Sequence, residues 1–125
     1  MKIFIRVSNT IKNLKDITNA IDMALKITNW HIGEIVIGGF DESDLDIAYL
    51  AKSSNTPIKV IQPKYKIFGK KSEYMKNIQI IDYVDAIIII ARGDRIAYEK
   101  FIDLAKKKTK GIFFYDIAEK YHEYL

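Results

Sequence analysis

Residues 35–44, IVIGGFDESD, hold the densest group of side chains able to do chemistry. A strand-like run ends in Gly38-Gly39, and Phe40, Asp41, Glu42 and Asp44 follow at the start of a helical pattern. A glycine pair before a helix is how a phosphate cradle is built, because free N–H groups and the helix dipole favour an anion by about 0.3–1 kcal/mol. A carboxylate about 6 Å from a phosphate opposes it by about 3 kcal/mol per unit charge at an effective dielectric of about 20. Three carboxylates therefore disfavour phosphate here unless cations intervene. Three readings remain: a turn whose helix is capped by Ser43 or Asp44, an acceptor for ribose hydroxyls at Asp44, or an oxygen-ligand metal site. The spacing fits no calcium loop, and no metal or cofactor is expected.

Cations for an anionic ligand are found further along. Lys64, Lys66, Lys70, Lys71 and Lys76 occupy one turn-rich stretch, where Gly69 and the lysines precede a helix start at Ser72. Backbone N–H and ammonium groups could converge there. Arg92 and Arg95 bracket Gly93-Asp94 after an apolar run and could grip phosphate bidentately, or Arg95 could pair with Asp94 or Glu99. Phe68 and Tyr65 could stack on a base, and Asn77 could read a ribose or base edge. Lys106, Lys107, Lys108 and Lys110 read as cations complementing a helix C-terminus. His31 beside Trp30 reads as turn packing and His122 as surface or interface. No Ser-His-Asp, Cys-His or His-rich metal set exists, and cysteine is absent.

These residues need elements to position them. Strands are expected at 2–7, 33–39, 57–63, 85–92 and 111–116, with helices at 13–27, 44–54, 72–83, 95–108 and a terminal one at 117–125. The alternation predicts a single α/β domain over 1–125, a doubly wound, Rossmann-like, mostly parallel five-stranded sheet with helices on both faces. Ligands bind such sheets at the carboxyl ends of the strands. That adds Ser8 and Asn9, after the first strand, to the candidates, along with Gln62–Gly69, Ala91–Arg95 and Asp116.

The 125-residue length suits one domain, and the net charge of +4 is mild, permitting anionic ligands without requiring nucleic acid. No apolar stretch approaches the length of a membrane span, and no signal peptide is evident, so the expected compartment is the cytoplasm, or a host cytoplasm for a viral protein. The tyrosine-rich tail FFYDIAEKYHEYL offers an aromatic surface, and a homo-oligomer, dimeric or larger, is expected.

The stretch FGKKSEYMKNIQIIDYVDAIIII, residues 68–90, resembles the YspA-like branch of the SLOG superfamily. Phe68-Gly69-Lys70 stands for that branch's Tyr-Gly-Lys start, Lys76-Asn77 for its Arg-Asn pair, and Tyr83–Ala86 for its helix-to-strand junction. Gly38-Gly39, Asp44 and Ala48 look like its Gly-Gly-x-x-Gly-x-Asp motif, with Glu42 in place of the third glycine. Arg6-Val7-Ser8-Asn9 replaces a Gly-Ser-Arg first loop, and Arg95–Tyr98 replaces a Ser-x-Gly-Thr loop. The catalytic Pro-Gly-Gly-x-Gly-Thr-x-x-Glu loop of related phosphoribohydrolases is absent. The resemblance implies nucleotide-binding ancestry with the catalytic and phosphate loops lost or rebuilt. The expected function is non-catalytic sensing or sequestration of a nucleotide-derived small molecule, ADP-ribose-like or cyclic; in a phage this would act as a sponge against a defence signal. The alternatives are a nucleoside or nucleotide N-glycosidase using Asp44, Glu42 or Glu99, and a protein-interaction module.

Overall fold

In the computed structural model, which describes all residues Met1–Leu125, six strands form one sheet in the order β3-β2-β1-β4-β5-β6. The chain runs β1 (Lys2–Val7), α1 (Leu14–Thr28), β2 (Glu34–Ile37), α2 (Glu42–Ser53), β3 (Ile58–Val60), α3 (Tyr65–Phe68), α4 (Ser72–Tyr83), β4 (Ala86–Ala91), α5 (Glu99–Lys107), β5 (Gly111–Asp116) and β6 (Tyr121–Tyr124). Tight 3₁₀ turns at Gly69–Lys71 and Arg95–Tyr98 lead into α4 and α5. The first five strands are parallel and β6 is antiparallel to β5. The architecture is the expected α/β Rossmann-like one, with one more strand than expected. No helix is long and apolar enough to cross a membrane.

Period-two alternation in β1 divides the core. Ile3, Ile5 and Val7 face α1 and α2, while Phe4 faces α4 and α5. On α1 the buried positions Ile17, Ala20, Ala24 and Thr28 follow helical spacing, which seats one stripe on the sheet. Asn13 caps its start by accepting from the Lys15 N–H at 2.8 Å. β4, AIIIIA, is buried at every position because helices cover both faces. Fully burying each isoleucine is worth roughly 1.5–3 kcal/mol. β4 therefore anchors the sheet, and β1 pairs with it over Ile3–Val7.

Three expectations need correction. The tail from residue 117 forms a turn and β6 rather than a helix. Lys120 takes a left-handed φ of 50°, which reverses the chain, and Tyr121–Tyr124 then bonds to the open edge of β5. Edge pairing satisfies a row of strand N–H and C=O groups that an isolated helix would leave free. The helix after β2 begins at Glu42 with Asp41, not Ser43 or Asp44, as its cap. The Lys64–Lys71 stretch is mostly helical, through α3 and its 3₁₀ turn, rather than an open loop.

Candidate functional site

Strand order ascends from β1 in both directions, to β2 on one side and β4 on the other. A crevice therefore opens above the carboxyl ends of β1 and β4, where the connecting loops part. A cavity of about 650 Å³ occupies it, within the range of small-molecule sites. Phe4, Ile89, Tyr98 and Phe101 form an apolar floor on the α4/α5 side of the sheet. Polar walls rise from the loops after β1, β2 and β4 and from the first turns of α4.

Arg6 interrupts the apolar run that follows Lys2 in β1, and alternation puts it on the same side as Phe4, at the crevice end. Its Nη1 donates to Asp41 Oδ2 at 2.8 Å and lies 3.4 Å from Ser43 Oγ and 3.5 Å from Asp44 Oδ1. Asp41 Oδ1 caps α2, accepting from the Asp44 N–H at 2.9 Å and the Ser43 hydroxyl at 3.0 Å. Partial burial pushes the Asp41 carboxyl up, but the Asp44 N–H and the Arg6 guanidinium outweigh this and hold it at about 2. Asp44 behaves oppositely. Burial, then repulsion from Asp41, raises it to about 6 against the pull of Arg6. Arg6 itself is raised: burial opposes its charge, but the two aspartates hold the proton on.

Asp44 has a side chain only 5% exposed; Arg6 approaches its Oδ1, the Asp41 N–H lies near enough to draw the carboxyl down, and no protein donor reaches its Oδ2 in full hydrogen-bond geometry. Every sealed side-chain polar atom in the molecule is partnered, so this oxygen keeps contact with the crevice. The other carboxylates are engaged. Asp94 accepts from the Ser8 hydroxyl at 2.9 Å, the Tyr98 hydroxyl at 3.3 Å and the Arg92 N–H at 2.9 Å. Burial and the Asp94 charge raise the Tyr98 phenol. Glu73 pairs with Lys76 at 2.9 Å and accepts from Tyr65, and chiefly Lys76 holds it below the usual carboxylate range. The Lys76 ammonium lies 3.5 Å from the place a Cβ would take on Gly38, so this glycine leaves it room. Two cations, Arg6 and Lys76, thus face four carboxylates, Asp41, Asp44, Glu73 and Asp94, a formal charge of −2.

Of the residues singled out in the sequence, Gly38, Gly39, Phe40 and Asp44 form one wall, Lys76 and Asn77 another, and Ser8 and Asn9 a third. Phe68, Gly69, Lys70 and Lys71 do not line the crevice, which corrects the lysine-loop expectation. At the start of α4 the Ser72 N–H donates to the Gly69 carbonyl within the 3₁₀ turn, and no side chain caps the helix. Arg92 is exposed and outside. Arg95 lies in a separate depression, where it pairs with Glu123 of β6 rather than with Asp94 or Glu99 and covers the Phe114 ring. Asp116 is a structural carboxylate that accepts from the N–H groups of Gly93, Ala118 and Glu119. Glu42 pairs with Lys12 at the surface, and Glu99 is exposed away from the crevice. No group of three His, Cys, Asp or Glu side chains is placed to hold a metal.

Sequence reasoning passed over Arg6, Thr10, Glu73 and Tyr98 as crevice residues, while Asp94 falls within the Ala91–Arg95 candidates. Arg6 carried a readable signal: a charge inside an apolar strand, one position from its end. No family model, curated protein or solved structure matches the chain at a significant level.

Proposed function

We propose that the protein binds a nucleotide-derived small molecule in the β1/β4 crevice and senses or sequesters it without turning it over. The observation that carries this reading is the crevice itself. It is about 650 Å³, lies where strand order reverses, and has an aromatic floor beneath hydrogen-bonding walls. Phe4, Tyr98 and Phe101 suit a planar base, and the Asn77 amide suits its edge or the sugar. Asp41, Glu73 and Asp94 are each held by protein donors, which leaves little free acid–base machinery and favours binding over catalysis.

A second reading rests on one observation. Asp44, at about 6, and Asp41, at about 2, are neighbouring carboxyls driven apart in pKa, as in acid catalysis of glycosidic cleavage. The test for both is thermal denaturation with nucleosides, nucleotides, cyclic dinucleotides and ADP-ribose, followed by analysis of the recovered ligand. A ligand at about 100 times its dissociation constant adds about 2.7 kcal/mol of stability. Intact ligand supports binding and released base supports the glycosidase. No stabilisation by any member would sink both.

Self-association is proposed through β6, whose exposed Tyr121 and Tyr124 flank an edge with no strand beyond it. A monomer by light scattering at high concentration would refute it.

A further inference from the structure

The charge and hydrogen-bond state of the crevice carries an inference about what its ligand must lack. It rests on the reading that the crevice binds a nucleotide-derived molecule, and it narrows that class. We infer that the wall formed by Gly38, Gly39 and Asp44 receives an uncharged hydrogen-bond donor, the diol of an unphosphorylated nucleoside, and that the protein discriminates against the 5′-phosphorylated form.

Four observations converge. The six charged groups lining the crevice sum to −2, so a phosphate entering it meets net repulsion. Both cations are engaged: Arg6 with Asp41 at 2.8 Å and Lys76 with Glu73 at 2.9 Å. Drawing Arg6 onto a phosphate would leave Asp41 and Asp44 side by side without their counter-ion. The helix N-terminus that would cradle phosphate already holds a carboxylate, since Asp41 takes the Asp44 N–H with its Oδ1 and places a negative charge at the positive end of α2. Against these closed anion contacts stands one open acceptor. Asp44 is more than nine-tenths buried and its Oδ1 lies 3.5 Å from Arg6, yet its Oδ2, beside Gly39, has no protein donor in full hydrogen-bond geometry and reaches the crevice; the nearby Asp41 N–H draws the carboxyl down without outweighing its burial. A carboxylate oxygen that opens onto the crevice is an acceptor for a ligand hydroxyl, not for another anion.

The test uses the full chain, with amide resonances followed by ¹⁵N–¹H correlation spectra. The probes are the four common ribonucleosides, their 5′-monophosphates and inorganic phosphate, each titrated at neutral pH. At least one nucleoside is expected to move the Gly38, Gly39 and Asp44 amides, with its monophosphate at least about tenfold weaker and inorganic phosphate leaving these amides in place. Asp44→Asn, checked for retained fold by the same spectra, should weaken the nucleoside about tenfold and shrink the gap to the monophosphate. A monophosphate that binds the crevice as tightly as its nucleoside, or more tightly, overturns the inference while the binding reading stands. If no probe moves any crevice amide, the binding reading falls and the inference falls with it. If Asp44→Asn leaves nucleoside affinity unchanged, Asp44 is not the acceptor and the inference is likewise overturned.

Discussion

Replacing Asp44 by asparagine should stabilise the protein at neutral pH, and by an amount that depends on pH. The Asp44 carboxyl rises from 3.8 to about 6 on folding, through burial and then through the charge of Asp41. A folded-state pKa above the unfolded one means that the native protein holds the proton more tightly. Its stabilising contribution is complete below pH 3.8 and is lost as pH rises toward and through 6, so ionised Asp44 is a burden on the fold above that point. The shift corresponds to roughly 3 kcal/mol, of which roughly 2 kcal/mol accrues between about pH 4 and pH 7. Solvent screening takes little away, because the side chain is 5% exposed. Asparagine keeps an Oδ1 acceptor for Arg6 but loses the charge in that 3.5 Å contact, which lies at the limit of a hydrogen bond and offsets only part of the gain. Asp41, held at about 2, stays ionised throughout this window and does not confuse the result. Urea unfolding of both proteins at pH 4, 5, 6, 7 and 8 measures the difference. The variant should gain on the parent by about 1–3 kcal/mol between the ends of the series. A difference that stays flat across the window, or a variant less stable at pH 8 than at pH 4 relative to the parent, would refute the assignment.

Three other outcomes follow from the geometry. A methyl group on Gly111 would stand 2.9 Å from Trp30 Cζ2, so Gly111→Ala should cost about 1–3 kcal/mol in urea unfolding through overpacking. Asp116→Ala strips the Gly93, Ala118 and Glu119 N–H groups of their acceptor; it should cost about 2–4 kcal/mol, with Asp116→Asn recovering part of that stability in the same assay. Lys70→Ala with Lys71→Ala should leave the affinity of a crevice ligand within about twofold by calorimetry, whereas Asn77→Ala should weaken it by about twofold to tenfold.

The layered core was legible because it is written in periodicities. The run Ala86–Ala91 could be read as a doubly covered strand without any neighbour being known, because four consecutive isoleucines, Ile87 to Ile90, fill its middle. The α1 stripe was equally plain. The tail was not, since IAEKYHEYL has acceptable helix formers and no glycine or proline to mark a turn. Its conformation is decided by the open edge of β5, a partner that local sequence does not display. In the site, the glycine pair and Asp44 were visible because strand ends are where ligands bind. The pairing state of each charge was not visible. Lys70 and Lys71 look available in sequence until a 3₁₀ turn takes up the N–H groups beside them. Glu73 and Asp94 look like surface charges until Lys76 and Ser8 are brought to them. The sign of the crevice is a sum over several loops and a helix, and no single segment contains it.

Trp30, the sole tryptophan, sits at the amino ends of the strands, edge-on to Tyr124 of β6 at 5.5 Å and against Gly111 at the start of β5. Its emission is therefore a built-in optical gauge of whether the last strand is seated. The crevice lies at the other ends of the same strands and contains no indole. Release of β6 would change tryptophan emission while circular dichroism still reported an intact parallel sheet. Ligand capture would leave the indole signal unchanged. The chain thus carries an unlabelled signal for its closing strand that occupation of the cavity does not disturb.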